Sequence, residues 1–376
     1  MANTFDRRQW LKTAGMAGAF SLFGGATALA NPYETSPLRV VRNNAPNGNI
    51  RLSANENPFG PSKKVREAMM NGFDEMCRYP YAFIREMSDI IAKKHGVTPE
   101  HVVLTAGSGE GLKAAGLTYG LHGGEIVAAL PTFLALMDYA QQFGAYVHYV
   151  PVDEQLGHDL DAMEKRLTGN TRLVFVCNPN NPTGTILSAS KMKNFCENLA
   201  KRTVVFADEA YFDYITEPNY PSMVELVKAG LNVIVSRTFS KVYGMAGIRM
   251  GYMIARPDIA RRLRENTMAQ VSVPALLAAK AALEDDEFYR FSLQKNAEAL
   301  QFLYKKLDEA GLSYVKSHAN FVFFKSGKDI RELNTLMAAK NIYVGRPFPP
   351  LNDWCRVSTG RMEEMQAFAK ALSEVV

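Results

Sequence analysis

Residues 203–241 read "TVVFADEAYFDYITEPNYPSMVELVKAGLNVIVSRTFSK". Two apolar runs of strand length, "TVVFADE" and "NVIVSR", flank "PSMVELVKAG", whose apolar positions are spaced as on a helix. Strand, helix and strand, with nearly unbroken apolar strands, describe a parallel pair buried on both faces. Each strand ends on polar residues. Asp208 closes the first, and Thr238, Ser240 and Lys241 follow the second. A carboxylate at the end of a buried strand is costly without a partner. A lysine in an apolar setting loses basicity and becomes a nucleophilic amine.

The same texture extends in both directions. "HVVLT", "EIVAALP", "YVHYVPV", "RLVFVC" and "GYMIA" bring the strand-like runs to seven, with helical stretches such as "SKMKNFCENLAKR" between several of them. The pattern predicts an α/β fold: a mostly parallel seven-stranded sheet flanked by helices, with ligands bound outside the carboxyl ends of the strands. From about residue 270, long helical stretches precede short strands, which predicts a smaller α+β domain. The expected organisation is an export segment over 1–30, an arm over 31–54, a large domain over 55–268 and a small domain over 269–376.

The 376 residues carry a net charge of +5, and Asp6, Arg7, Arg8 and Lys12 alone contribute two of those charges. With no basic run interleaved with aromatics, this excludes a nucleic-acid partner. The N-terminal "FDRRQWLKTAGMAGAFSLFGGATALANP" has paired arginines, an apolar stretch and Ala28-Leu29-Ala30 before Asn31, the organisation of an export signal. It resembles the twin-arginine type through Arg7, Arg8, Trp10, Leu11 and Lys12. That implies a transient partner in the twin-arginine translocon and a periplasmic destination. Cys77, Cys177, Cys196 and Cys355 lack metal-ligand spacing, so no metal is expected.

Other polar groups cluster just past strand ends. "AGSGEGLKAAG" is a strand–glycine turn–helix arrangement, where helix N–H groups and the dipole attract anions. "CNPNNPTG" is a rigid turn presenting the Asn181 amide. Tyr211 follows Asp208 by three residues, and Arg249 can pair bidentately with a phosphate. An anion cradle, a buried carboxylate, hydroxyl and amide donors and an amine together match the functional groups of pyridoxal phosphate.

The order and spacing of "LSANENPFGPS", "RYP", "GSGEG", "NPNNPTG", "ADEAY", "TFSKVYGMAGIRMGY" and "WCRVSTG" resemble the fold-type I pyridoxal-phosphate aminotransferases of class I/II, and most closely the histidinol-phosphate aminotransferase branch. The resemblance implies pyridoxal 5'-phosphate as cofactor. Lys241 would carry it and move the substrate proton, Asp208 would hold its pyridine nitrogen protonated, and Tyr211 and Asn181 would bond its phenolic oxygen. Ser108, Gly109, Glu110, Thr238, Ser240 and Arg249 would surround the phosphate, and Phe133 would stack on the ring. Tyr79 would reach the phosphate of the neighbouring subunit in a homodimer. Arg356 and Asn55 would meet the substrate. Arg346, displaced by Gly345 from the family's second anion-binding position, would be a further substrate contact. The implied substrates are an amino acid, or a histidinol-phosphate-like amine, and a 2-oxo acid. A lyase of the threonine-phosphate decarboxylase type and a non-catalytic domain are the alternatives. "VGRPFPPLNDW" builds an apolar and aromatic wall near Arg346, which favours an apolar or aromatic donor.

Overall fold

The seven apolar runs form one sheet. The computed structural model of the protein describes residues 48–376, so the export segment and most of the arm lie outside the described residues. In chain order the strands are β1 (Ile50–Arg51), β2 (Val102–Thr105), β3 (Glu125–Leu130), β4 (Tyr146–Pro151), β5 (Thr171–Cys177), β6 (Val204–Asp208), β7 (Val233–Thr238), β8 (Gly251–Ala255), β9 (Tyr314–Val315), β10 (Phe321–Lys325), β11 (Ile342–Tyr343) and β12 (Trp354–Ser358). The large sheet runs β2-β8-β7-β6-β5-β3-β4. All of its pairings are parallel except those of β8, which is antiparallel to β2 and β7.

Both faces are covered, which is why the strands read as continuous apolar runs. Val205 and Ala207 pack into one core with Val174, Val176 and Val235. Phe206 packs into the other with Phe175, Ile234 and Met253. The period of two therefore sends Asp208 to the Phe206 face and Glu209 to the opposite one. The ends of β5 and β6 are level, Cys177 pairing with Asp208, and Asp208 pairs with Ser236 of β7, which runs on to Thr238.

After β2 the chain turns at Gly107 (φ 78°) into the helix Ser108–Gly120. A Cβ on Gly107 would lie 2.2 Å from Arg249 Nη2, and one on Gly251 would lie 2.6 Å from the Ser108 nitrogen. Only glycine at both positions lets this turn lie against the start of β8.

The C-terminal sheet is antiparallel, in the order β12-β10-β9, and β1 pairs in parallel with β11. Its core combines Leu52 with Ala299, Leu303, Val322, Phe324, Cys355, Val357 and Phe368. The end of the expected arm is therefore part of this layer. The helix Val273–Leu283, at the start of the expected small domain, packs its Ala275, Leu276 and Ala279 into the core of Met87 and Ile91. The second core begins further on, within the helix Asp286–Glu309.

Candidate active site

Three strand ends of the large sheet and one face of β12 converge on Lys241. Its Nζ donates to the Asn55 carbonyl (2.9 Å) and lies 5.3 Å from the centre of the Tyr211 ring. Burial, and then the positive charge of Arg356, bring the amine down to about 8, so an appreciable fraction is uncharged near neutral pH. Asp208, 2% exposed, accepts one backbone hydrogen bond, from the Ala210 N–H (3.2 Å). Burial pushes its carboxyl up to about 7, opposed by that N–H and by Lys241. Asp208 makes no ion pair among the described residues, and a buried carboxylate is best stabilised by a cation.

The Tyr211 hydroxyl accepts from Asn55 Nδ2 (2.9 Å) and Asn181 Nδ2 (3.5 Å), and its ring meets Phe321 edge-on at 5.2 Å. Burial raises its pKa, so the hydroxyl keeps its proton. Arg356 is buried. Its Nη1 donates to Asn181 Oδ1 (2.6 Å) and its Nη2 to the Ser53 carbonyl (2.5 Å), while Nε has no partner. Burial lowers its pKa to about 10. A guanidinium is a charge-assisted partner for a carboxylate.

The anion cradle forms at the edge of the large sheet. The helix Ser108–Gly120 has no side-chain N-cap, which leaves N–H groups of its first turn, at Ser108 and Gly109, for a ligand. Arg249, in the left-handed region at φ 65°, donates through Nη1 to Ser240 Oγ (3.3 Å) and through Nη2 to the Ala106 carbonyl (3.3 Å). Thr238 Oγ1 accepts from the Ser240 N–H (3.1 Å). Glu110 faces away from this cradle in its bonding. Its backbone N–H goes to the Gly107 carbonyl (3.2 Å), and its carboxylate takes the N–H groups of Ala106 (2.6 Å) and Met268 (3.0 Å). The donor set suits a phosphorylated aldehyde with a ring nitrogen that can be protonated. It offers N–H groups and Arg249 for phosphate, Lys241 for the carbonyl, Asp208 for the ring cation and Tyr211 for an oxygen.

Residues 47–372 match the family described as aminotransferase class I and II. The chain belongs to the aminotransferase class I and II family. Curated relatives of this aminotransferase include the histidinol-phosphate aminotransferases of Moorella thermoacetica, 39% identical over 87% of this chain and 85% of the relative, and of Caldicellulosiruptor saccharolyticus, 35% identical over 87% and 92%. Among solved structures, the histidinol-phosphate aminotransferase of Sinorhizobium meliloti in complex with pyridoxal-5'-phosphate superposes with a TM-score of 0.80 at 28% identity, covering 87% of this chain and 90% of that one.

Three further residues were expected at the site of the aminotransferase. Phe133, on the loop after β3, is 36% exposed, and Tyr79 is 78% exposed and stacked on Tyr81 at 5.7 Å. Arg346 lays its guanidinium on the Phe348 ring at 4.5 Å, and Arg356 sits 5.0 Å from the same ring. A side chain at Gly345 would place Cβ 2.7 Å from the Arg356 carbonyl, so the cation moves one residue along.

Sequence reasoning missed Ser358 and Ser53. Ser358 exchanges hydrogen bonds with Asn55, and the Ser53 carbonyl holds Arg356. A signal for Ser358 existed: it lies two residues after Arg356 on a strand, hence on the same face.

Proposed function

We propose that this aminotransferase uses pyridoxal 5'-phosphate to exchange an amino group between a free amino acid with a large apolar or aromatic side chain and a 2-oxo acid. The observation that carries the reading is the juxtaposition of a buried carboxylate with one backbone donor, Asp208, and an amine of lowered pKa, Lys241, at adjacent strand ends. When bound, the cofactor supplies a carbonyl and an electron-withdrawing ring. Ser108, Gly109, Thr238, Ser240 and Arg249 hold its phosphate, and Asp208 keeps a proton on the ring nitrogen. Tyr211 and Asn181 direct hydrogens at the ring oxygen. Lys241 holds the cofactor and carries a proton to and from the substrate carbon, a task for which an amine near neutral pKa is suited.

Arg356 receives the donor's α-carboxylate through its guanidinium, a charge-assisted partner for that group. Beside it, Phe348 meets Phe323 edge-on (6.1 Å) and Trp354 stacks on Phe323 (5.0 Å), which supports an apolar or aromatic donor over a phosphorylated one. The test is a panel of donors in single half-reactions, read by loss of the cofactor's visible absorbance and by release of the matching oxo acid. A higher kcat/KM for histidinol phosphate than for every aromatic or large apolar amino acid would reject the donor assignment. Release of carbon dioxide without oxo acid would reject transamination.

Export and assembly complete the proposal. The Arg7-Arg8 pair supports delivery to the periplasm of a folded, cofactor-loaded protein, and replacing both with Lys keeps active enzyme in the cytoplasm. The exposed Tyr79 supports a homodimer in which each subunit completes its neighbour's phosphate site. Sedimentation of the active enzyme as a monomer would exclude that arrangement.

A further inference from the structure

The Tyr211 hydroxyl has one hydrogen and two lone pairs. Both incoming contacts are amide N–H groups, from Asn55 and Asn181, so the hydroxyl acts as acceptor toward the protein and its own hydrogen is left for the pocket. That outcome depends on which end of each amide faces Tyr211. For Asn181, Arg356 takes Oδ1 and turns Nδ2 inward. For Asn55 the orienting group is Ser358.

Ser358 is buried on β12, on the same face as Arg356 and paired in register with Phe321. Its hydroxyl donates to Asn55 Oδ1 (2.8 Å) and accepts the Asn55 backbone N–H (2.8 Å). One hydroxyl thus holds both the amide and the backbone of a residue in the left-handed region, at φ 54°. With Oδ1 occupied, Asn55 presents Nδ2 to Tyr211 (2.9 Å), and its carbonyl receives Lys241 Nζ (2.9 Å).

We propose that Ser358 is a positioning residue that acts through Asn55, fixing Tyr211 as a hydrogen donor to the site and Lys241 in its place. The part concerning Tyr211 rests on the pyridoxal-phosphate reading, and the part concerning Lys241 does not. Without Ser358, Asn55 can reverse its amide and accept the Tyr211 hydrogen, and the bound cofactor's oxygen loses a donor. A more basic oxygen retains a shared proton to higher pH.

Ser358→Ala, Ser358→Thr, Asn55→Ala and the Ser358→Ala/Asn55→Ala double variant are compared as holoenzymes. For Ser358→Ala, the midpoint of the substrate-free visible spectrum moves up by about one pH unit, and kcat falls about tenfold, the scale of one buried hydrogen-bond partner lost. Ser358→Thr restores both. Ser358→Ala adds nothing in the Asn55→Ala background, because the effect runs through Asn55. A second arm uses cofactor-free protein and pH-dependent labelling of Lys241 by an amine-reactive reagent. The midpoint is expected to fall from wild type to Ser358→Ala, as the carbonyl that accepts from Lys241 Nζ is released. If Ser358→Ala does not fold, Ser358→Cys, which keeps the volume and weakens both bonds, carries both arms. Unchanged midpoints in both arms overturn the proposal, even if the variant melts earlier. A wild-type protein that takes up no pyridoxal phosphate rejects the functional reading, and the labelling arm then decides the role of Ser358 alone.

Discussion

Two neighbouring carboxylates meet opposite fates. Asp208 faces the helix Ser108–Gly120 side of the sheet with one backbone donor and no ion pair among the described residues. Glu209, on the other face, accepts from Ser222 Oγ (2.8 Å), the Met223 N–H (2.7 Å), Arg237 Nε (2.8 Å) and Arg237 Nη2 (2.7 Å), and Arg237 in turn lies 4.0 Å from the Phe212 ring. The strand's alternation separates a saturated pair from an unsaturated one. Where every donor and acceptor is matched, the group holds the fold. Where a buried carboxylate has a single backbone donor and a raised pKa beside a lysine, the perturbation marks a candidate site.

The largest effect expected on the Asp208 side comes from Lys241→Ala. Both the covalent attachment and the proton carrier are lost, so turnover falls by about 10⁵-fold or more, on the scale of deleting a covalent catalyst. Borohydride reduction of the loaded wild type should attach the cofactor to the Lys241 peptide. Attachment to another lysine would move the site.

The two carboxylates can then be exchanged against each other. Asp208→Asn keeps the fold and lowers kcat by about 10²- to 10³-fold, because an amide cannot hold the ring proton. Glu209→Gln leaves Arg237 buried beside a neutral partner, which costs roughly 3–5 kcal/mol of stability, while kcat of the folded fraction stays within a few-fold. Calorimetry and turnover on both variants give a crossed result. If Asp208→Asn melts earlier and Glu209→Gln loses the chemistry, the distinction between the two sides is wrong.

Legibility followed the same division. Asp208, Tyr211, Asn181, Lys241 and Arg249 were readable because each sits at a strand end or in a tight turn, where local sequence sets the geometry. Ser358, Ser53 and the Glu209–Arg237 pair were not. Their partners are distant in sequence or depend on which face a strand presents, and register between elements leaves no local pattern. The core boundary near Ala299 was hidden similarly, since the helix Val273–Leu283 is apolar enough for either layer. Tyr79 and Phe133 were named by motif alone, and within one chain both remain exposed.

Arg356 joins the two kinds of region, since it is buried in the C-terminal layer yet incompletely paired. Arg356→Ala should raise KM for amino acid donors about 10²-fold, as a charge-assisted pair with the carboxylate is lost. It should weaken binding of an amine lacking a carboxylate far less. Equal losses for both ligands would remove Arg356 from the carboxylate site.

The smallest effect concerns acid. His95, whose Nε2 lies 2.9 Å from the Tyr252 hydroxyl, is held down to about 4 by burial and by the charge of Arg237. Buried His158 is likewise held at about 4. The unfolded chain binds protons at both near 6.5, before the folded protein does, so their contribution to stability is full above that pH and is lost as pH falls toward 4. Asp208 works in the opposite sense. Its folded pKa, about 7, lies above its ordinary value, so the cofactor-free protein takes up that proton first and gains stability over nearly the same window. The two trends partly cancel in the wild-type apoprotein. Asp208→Asn removes the opposing one, so its melting temperature should fall more steeply between pH 7 and 4 than that of the wild type, and His95→Gln should flatten the fall. Parallel melting curves for wild type and Asp208→Asn would mean that Asp208 is already compensated by the protein itself, and the contrast with Glu209 would fail at its most sensitive point.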